Sequence, residues 1–180
     1  MIVDATKLSG LLVVTPEVYG DDRGFFMETY NATKSAATGL PEIFVQDNQS
    51  RSAKGVLRGM HYQYPQWQGK LVRVVNGEIY DVAVDLRRDS TTFGQWFGIY
   101  LNDDNKQQLY VPPGFAHGFC VTSEFADVVY KCTSGYKPEQ DFGLKWDDPD
   151  VGIEWPIDQP TLSEKDKVAP GLDAVGNLST

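Results

Sequence analysis

Apolar and polar residues alternate with a period of two along much of this chain, and short turn signals interrupt the alternation. The clearest example is KLVRVVNGEIYDVAVDL, residues 70–86. Because successive side chains of a β-strand point to opposite faces, this pattern predicts strands. In the second half one face is apolar and the other is more polar, carrying Ile79, Asp81, Ala83 and Asp85.

The dipeptide Asn76-Gly77 inside this segment is a preferred sequence for a two-residue type I′ turn, so it predicts a β-hairpin. In that register Lys70 faces Ala83 and lies on the same sheet face as Asp81, one diagonal step away. We therefore expect Asp81 to keep Lys70 charged and aimed into the interior. The alternative is a pair of solvent-facing charges.

Eight further segments have the composition of strands, and Gly, Pro, Asn and Asp separate them at short intervals. They are FFMETY (25–30), EIFVQDN (42–48), GVLRGMHYQ (55–63), WFGIYL (96–101), QQLYVP (107–112), GFCVTS (118–123), ADVVYKC (126–132) and GLKWD (143–147). Helix signals are weak at 32–38 and at 163–168, where Ser163 is a candidate N-cap. We predict an all-β fold of one domain, residues 1–180: a cupin-like jelly roll (double-stranded β-helix) with a few short helices.

Composition narrows the class of protein. The chain has 180 residues, of which 41% are hydrophobic and 23% charged, as in ordinary globular proteins. Its apolar runs are too short to span a bilayer and its first residues lack a signal-peptide pattern, so we expect a soluble, cytoplasmic protein. The net charge of −9 disfavours nucleic acid and anionic membranes as partners, and an anionic ligand would need a locally basic site.

Two cysteines, Cys120 and Cys132, make neither a disulfide framework nor a CxxC zinc motif, and we expect two buried thiols. The two histidines are the first candidates for chemistry. His61 lies in LRGMHYQ and His117 in VPPGFAHGF, and a histidine taken alone in either setting is more often structural or a surface residue than catalytic.

VPPGFAHGF resembles the second half of the cupin signature, P-x-G-x-x-H, with Pro112, Gly114 and His117 in place. In metal cupins the first half supplies H-x-H, but here the corresponding stretch reads His61-Tyr62-Gln63. Because Zn, Fe and Mn normally need three or more well-placed ligands, we expect neither a metal nor another cofactor.

Six runs together resemble the dTDP-4-dehydrorhamnose 3,5-epimerase family, in order and over nearly the whole chain. They are GDDRGFFMETYN (20–31), FVQDNQSRSAKGVLRGMHYQ (44–63), QGKLVRVVNGEIYDVAVDLR (68–87), DNKQQLYVPPGFAHGF (104–119), GLKWDDPDVGIEWP (143–156) and LSEKD (162–166). The resemblance implies a cupin-like fold, a homodimer and no metal. It also implies conversion of dTDP-4-dehydro-6-deoxy-D-glucose to dTDP-4-dehydro-L-rhamnose for dTDP-L-rhamnose biosynthesis.

Such a reaction needs a base near C3 and C5, a stabiliser for the enolate oxygen, and an acid on the opposite ring face. His61 fits the base, because an imidazole titrates near neutral pH. The resemblance assigns Asp166 as the carboxylate that orients it, Tyr130 as the acid, and Lys70 as the cation that neutralises the enolate. From the residues alone, a half-buried strand tyrosine is an equal interpretation of Tyr130, and Asp166 is one of 25 acidic residues.

The resemblance also implies the substrate-binding residues. Cations for the diphosphate are Arg23, Arg58, His117 and Lys165, and further contacts come from Glu28, Gln46, Asp47, Asn48 and Asp141. Phe26 and Tyr136 are candidates for packing on the thymine. The segment from Arg23 to Glu28 would cross the homodimer, so that each site is shared through strand exchange.

The chain departs from the family pattern at three positions. Asp141 stands where the family usually has Glu, Gly135 where many members carry a second aromatic residue, and Met60 where Leu is usual. Relatives of this fold invert only C3 or only C5, or isomerise the ketone, and the sequence leaves these alternatives open. A non-enzymatic sugar-binding cupin is a further alternative, which the presence of His61, Tyr130 and Lys70 disfavours. A metal cupin oxygenase or isomerase is opposed by the missing H-x-H.

Overall fold

The computed structural model describes residues 1–175, so the last five residues of the predicted 1–180 domain lie outside the described residues. Strands make up most of the regular structure: β1 Ile2–Ala5, β2 Leu12–Thr15, β3 Val18–Asp21, β4 Gly24–Met27, β5 Gln46–Ala53, β6 Leu57–Gln63, β7 Lys70–Asn76, β8 Glu78–Asp85, β9 Trp96–Asn102, β10 Gln108–Val111, β11 Phe115–Val121, β12 Phe125–Cys132 and β13 Asp141–Gly143. Two short helices are α1, Ala32–Ala36, and α2, Glu164–Lys167. Single 3-10 turns lie at Pro138–Gln140 and Leu172–Ala174.

Two antiparallel sheets face each other. The six-stranded sheet has the order β1-β2-β10-β7-β12-β5, and the five-stranded sheet has the order β13-β6-β11-β8-β9. Strands β3 and β4 form a separate hairpin. Because consecutive strands repeatedly change sheet, the arrangement is a jelly-roll sandwich, which confirms the predicted all-β, cupin-like class. In residues 1–175 no helix is both long enough and apolar enough to cross a membrane.

The main core lies between the inner faces of the two sheets. Its buried residues include Val72 and Val74 from β7, Ile79 from β8, and Phe115 and Phe119 from β11. These are alternate positions along their strands, and their burial stabilises the sandwich by roughly 25 cal/mol per Å² of apolar surface. A second core on the outer face of the five-stranded sheet packs alternate positions of β8 against the C-terminal segment. Strand β8 is therefore buried on both faces.

The predicted hairpin of residues 70–86 was wrong in its pairing. Strand β7 pairs with β10 and β12, whereas β8 pairs with β11 and β9 in the opposite sheet. The Asn76-Gly77 turn carries the chain between the sheets. Gly77 has a φ of 80°, and a Cβ there would lie 2.1 Å from the carbonyl oxygen of Phe125, so only glycine fits.

The pairing error has a physical reason. Alternation marks a strand and its two faces, but it does not say which strand lies beside it. Lys70 therefore lies opposite Val111 and Cys132, not opposite Ala83. The two faces were assigned correctly, since Ile79 and Ala83 face the inter-sheet core.

The remaining differences between the predicted and the observed strands are missed strands and shifted strand ends. Strands β1 to β3 were not predicted, and the predicted GLKWD strand ends early. Leu144 still exchanges backbone hydrogen bonds with Met60 of β6, but residues 145–147 are not part of a strand. Strand β5 runs over 46–53 instead of 42–48, because its inward positions are polar and gave no hydrophobic alternation. Both helices form where expected, and the backbone N–H of Asp166 donates to the Ser163 hydroxyl at 3.2 Å, which confirms the N-cap. Both cysteines are buried and free, as predicted.

Candidate active site

Polar side chains replace the apolar core over part of the inter-sheet space. From the six-stranded sheet the inward positions are Lys70 on β7, Cys132 and Tyr130 on β12, and Gln46 and Asn48 on β5. From the five-stranded sheet they are His61 on β6, His117 on β11 and Asp81 on β8. Each of these residues is an even number of positions from core residues of its own strand or lies opposite an inward residue of a neighbouring strand. All of their side chains therefore point into the space between the two sheets. The space between the two sheets is the candidate active site.

His61 forms a close pair with Asp166. The Nε2 atom of His61 lies 2.6 Å from Oδ1 of Asp166, and their side chains are 33% and 4% exposed. Burial raises the pKa of Asp166. Hydrogen bonds from His61, Ser163 and the backbone of Gly59 together lower this pKa by more than burial raises it, so the net shift is downward. An ionised carboxylate can only accept hydrogen bonds, so Nε2 carries the proton and Nδ1 keeps its lone pair. His61 is thus held ready to accept a proton.

A second His–Asp pair lies beside the first. His117 is opposite His61 in the β6–β11 register, and its Nε2 lies 2.9 and 3.0 Å from the two carboxylate oxygens of Asp81. Both side chains are buried. The expected Lys70–Asp81 contact was therefore wrong, since Asp81 is engaged by His117. The two sheets nevertheless bring Asp81 close enough to raise the pKa of Lys70, behind larger contributions from Cys132 and Asp141.

Lys70 and Tyr130 lie on adjacent strands with their side chains in the same space. Burial lowers the pKa of Lys70, and the negative charge that Cys132, Asp141 and Asp81 can carry opposes this shift only in part. Burial raises the pKa of Tyr130, and Cys132 raises it further, while the Arg58 guanidinium opposes the shift. The phenol therefore stays protonated well above neutral pH.

The QDN run divides between two faces. Gln46 and Asn48 point inward, where Nε2 of Gln46 donates to Oδ1 of Asn48 at 3.0 Å. Asp47 points to the outer face, where Lys131 Nζ donates to it at 2.9 Å. The Asp47 side chain therefore faces away from the inter-sheet space, because neighbouring residues of a strand point to opposite faces, and its substrate contact stays a prediction.

Three further predicted residues meet at the edge of the site. The Tyr136 hydroxyl donates to Oδ2 of Asp141 at 3.0 Å, and Lys165 Nζ donates to the same oxygen at 2.5 Å. Helix α2 carries both Lys165 and Asp166, so it joins this exposed cluster to the buried His61 pair. Arg58 is exposed, and its Nε donates to the hydroxyl of Ser52 at 2.9 Å.

The other predicted residues do not reach the site of their own chain. The β3–β4 hairpin, which we call the arm, carries Arg23 and Phe26, and Phe26 is 69% exposed. A cavity of about 410 Å³ lies between the arm and Val75 of β7. Val75 and Lys70 are at opposite ends of β7, about 17 Å apart along the strand. Glu28, just after the arm, accepts a hydrogen bond from Lys34 at 2.7 Å.

Cys132 lines the site but was not predicted to act in it, and Asp81 was expected beside Lys70 and not on His117. Cys132 follows Tyr130 by two residues in an alternating strand, so its position on the same face could have been recognised. The pairing of Asp81 with His117 could not, because 36 residues separate them and nothing in either motif names the other. Within the described chain no three His, Cys, Asp or Glu residues are grouped so that they could hold a metal ion.

Comparison with known proteins gives a consistent result. A family described as dTDP-4-dehydrorhamnose 3,5-epimerase matches residues 5–174. The chain is 55% identical over 167 residues to the dTDP-4-dehydrorhamnose 3,5-epimerase of Pseudomonas aeruginosa, covering 91% of this chain and 92% of that protein.

Solved structures agree with the sequence comparison. The dTDP-6-deoxy-D-glucose-3,5-epimerase of Legionella pneumophila, in complex with dTDP-4-keto-L-rhamnose, superposes with a TM-score of 0.95 at 48% identity, covering 99% of this chain and 97% of that one. A 3'-monoepimerase of Streptomyces bikiniensis, in complex with dTDP-quinovose, superposes with a TM-score of 0.89 at 34% identity, covering 97% and 91%.

Proposed function

The chain belongs to the dTDP-4-dehydrorhamnose 3,5-epimerase family, and on that premise we propose the mechanism by which it works. The protein converts dTDP-4-dehydro-6-deoxy-D-glucose to dTDP-4-dehydro-L-rhamnose by inverting C3 and C5, in dTDP-L-rhamnose biosynthesis. One observation carries the mechanism: His61 and Tyr130 come from facing sheets. A sugar ring bound between the sheets presents one face to each residue, and inversion requires a proton to leave one face and return to the other.

His61 is the proposed base. The C4 ketone acidifies the hydrogens on C3 and C5, and the lone pair of Nδ1 accepts one of them. The imidazolium that forms is stabilised by the ionised Asp166, 2.6 Å from Nε2. The carboxylate has the same role as in other His–Asp catalytic pairs, where it orients the ring and does not itself take the proton, but here it holds Nε2 and leaves Nδ1 as the base.

Lys70 is the proposed stabiliser of the enolate. Removal of the C3 or C5 proton places negative charge on the C4 oxygen, and a buried ammonium can stabilise this charge by a few kcal/mol (about 3–4 for one well-placed donor in a comparable site). Burial alone would favour a neutral Lys70, but Cys132, Asp141 and Asp81 favour the charged form. Burial outweighs them, so the net shift of the Lys70 pKa is downward, and the proposed role belongs to the protonated form of the side chain.

Tyr130 is the proposed acid. Its raised pKa keeps the phenol protonated at neutral pH, so that it can return a proton to the carbon from the face opposite His61. After turnover, Tyr130 regains a proton and His61 loses one, and the enzyme returns to its starting state without a metal or a redox cofactor.

The diphosphate and thymine are proposed to lie towards the exposed edge of the site. Arg58 and Lys165 supply positive charge there, Gln46 and Asn48 supply hydrogen bonds, and Tyr136 supplies an aromatic face. The shorter Asp141 fixes Lys165 and Tyr136 in the positions described above. The sequence suggested His117 for the diphosphate, but because it is buried and paired with Asp81, its proposed role is to contact the sugar.

We propose that Arg23, Phe26 and Glu28 complete the site of a second copy of the chain. They lie on or beside an exposed arm on the outer side of the six-stranded sheet, and the polar space lies on its inner side. A homodimer that exchanges arms would bring these residues to the partner's site. The cytoplasmic location stays a prediction.

The alternatives within the family are inversion of C3 alone or of C5 alone, or isomerisation of the ketone. Identity of about half to the 3,5-epimerases of Pseudomonas aeruginosa and Legionella pneumophila, against 34% to the 3'-monoepimerase of Streptomyces bikiniensis, favours inversion at both carbons. Incubation with the 4-keto substrate in heavy water, followed by NMR, tests this. Deuterium at both C3 and C5 with the L-rhamno product is expected, and label at one carbon only would establish a mono-epimerase.

A further inference from the structure

Three inward side chains form a straight row across the floor of the site. In the six-stranded sheet, Cys132 of β12 is directly opposite Lys70 of β7 on one side and Gln46 of β5 on the other. Directly opposite residues on neighbouring strands have Cβ atoms about 4.5–5.5 Å apart. The sulfur of Cys132 therefore lies between the proposed enolate stabiliser and the proposed substrate-binding strand.

The sulfur atom is engaged by a polar neighbour. Nδ2 of Asn48 donates to Sγ of Cys132 at 3.4 Å, and Gln46 in turn donates to Oδ1 of Asn48. Gln46 is fixed from the other side, since Tyr136 N–H donates to its Oε1 at 2.8 Å. A chain of hydrogen bonds thus runs from the exposed edge of the site to Cys132, which has no exposed surface.

Cys132 is also coupled to the two inward groups with proposed chemical roles. Among the charges around the ammonium, it is the largest influence that raises the pKa of Lys70, after the opposing effect of burial. Among the charges around the phenol, it is likewise the largest influence that raises the pKa of Tyr130, adding to burial. The pKa of Cys132 itself is raised by burial, while Lys70 and Asn48 pull it down.

We propose that Cys132 is a positioning residue, whose sulfur atom holds the Asn48 amide and the Lys70 ammonium in place at the floor of the site. This proposal rests on the proposed function for its catalytic consequence, but not for the contact itself. The sulfur accepts from the Asn48 amide and lies at the strand position directly opposite Lys70, so it confines the ammonium next to the place that the C4 oxygen must occupy. The charged and titratable groups that act on Lys70 and Cys132 from the surrounding elements are Asp47, Asp81, Tyr130, Asp141 and Lys165.

The contact is tested without any turnover, by titrating the Cys132 thiol. Cys120 is first replaced by Ser, because burial raises the pKa of that thiol to about 11 and its signal would overlap. The ultraviolet absorbance of the thiolate is then followed against pH, with and without Lys70→Met, while circular dichroism confirms that the protein stays folded. We expect loss of the ammonium to raise the pKa of Cys132 by about one unit or more. An unchanged titration would overturn the proposal even if the enzyme is fully active.

The catalytic consequence is tested with Cys132→Ala, Cys132→Ser and the matched control Cys120→Ala, which removes the other buried thiol. Cys132→Ala is expected to lower kcat about 10-fold with little change in KM. Ser keeps an acceptor and should restore most of kcat. Wild-type kinetics in Cys132→Ala, no rescue by Ser, or an equal loss in Cys120→Ala would each overturn the proposal.

Discussion

At the residue scale, His61 and Tyr130 stand on opposite walls of the site, and their proposed roles can be separated. His61→Ala removes the only proposed base, so both epimerisation and deuterium uptake from heavy water should fall by about 10²–10⁴-fold. Tyr130→Phe should block inversion but leave some exchange at C3 or C5. His61 can still remove a proton and return a deuteron from its own side.

Proton NMR and mass spectrometry of the recovered substrate measure both quantities. If His61→Ala still exchanged and Tyr130→Phe lost all exchange, the base and the acid would be reversed. Near-normal turnover in either variant would remove that residue from the mechanism.

The two histidines also allow a test of metal independence at the residue scale. Each is bound to a carboxylate, His61 to Asp166 and His117 to Asp81, and the H-x-H pair of metal cupins is absent from the sequence. Activity is therefore expected to survive prolonged dialysis against EDTA unchanged. Loss of activity that a single divalent metal restores would contradict the metal-free mechanism.

At the element scale, the connection after β8 depends on one buried carboxylate. Asp85 has no exposed surface, and it accepts hydrogen bonds from Arg87, Ser90 and Thr92 at 2.7–3.0 Å. Burial raises the pKa of Asp85, but these hydrogen bonds lower it more, so the carboxylate is held in its charged form. Strand β8 carries Asp81 into the site, so a distortion of its end would also reach the His117 pair.

Asp85→Asn is expected to lower the free energy of unfolding by about 2–3 kcal/mol at neutral pH, since it breaks this network and leaves Arg87 without its partner. Because the folded-state pKa is lowered, the stabilisation is complete above the unfolded pKa near 4. It is lost as the pH falls through the folded value. The difference between wild type and variant should therefore shrink in acid.

Urea denaturation at several pH values measures this effect. Asp89→Asn, an exposed residue of the same connection, is the matched control and should change little. An Asp85→Asn variant as stable as this control would show that the network does not support the fold.

At the scale of the whole molecule, the arm is the feature that a single chain leaves unexplained. Tyr19, Phe25 and Phe26 expose large apolar surfaces on a two-stranded hairpin, and such hairpins are rarely stable without a partner surface. The Phe25 ring lies 4.5 Å from Nζ of Lys106. Exchange with a second copy would cover these rings and deliver Arg23 to the partner's site.

Mixing two inactive variants tests this exchange. His61→Ala and Arg23→Ala homodimers should each be weak, but a heterodimer would contain one site with both an intact His61 and an intact arm. Statistical mixing should then restore about a quarter of wild-type activity, because half the dimers are mixed and each has one intact site. If each arm served its own chain, mixing would restore nothing.

Light scattering on the same samples measures the oligomeric state. A monomer that remains fully active at high dilution would contradict the proposed dimer.

The sequence by itself determined most of the central strands and which of their side chains share a face, because strand periodicity is local. It placed β6 to β12 within a few residues, and its alternation correctly turned Ile79 and Ala83 inward. The same rule could have excluded Asp47 from the site and included Cys132. The candidate residues His61, Lys70, Tyr130 and Asp166 came from the family resemblance, which compares whole runs and needs no geometry.

Only the tertiary structure decided which strands lie side by side. Pairing depends on contacts between residues far apart in the chain, and the Asn76-Gly77 turn is compatible both with a hairpin and with a crossing between sheets. The pairing of the strands determines the partners of Lys70, the hydrogen bonds between His117 and Asp81, and the position of Cys132 beside Lys70. Distance along the chain also hid the His61–Asp166 pair, because 105 residues separate two atoms that lie 2.6 Å apart.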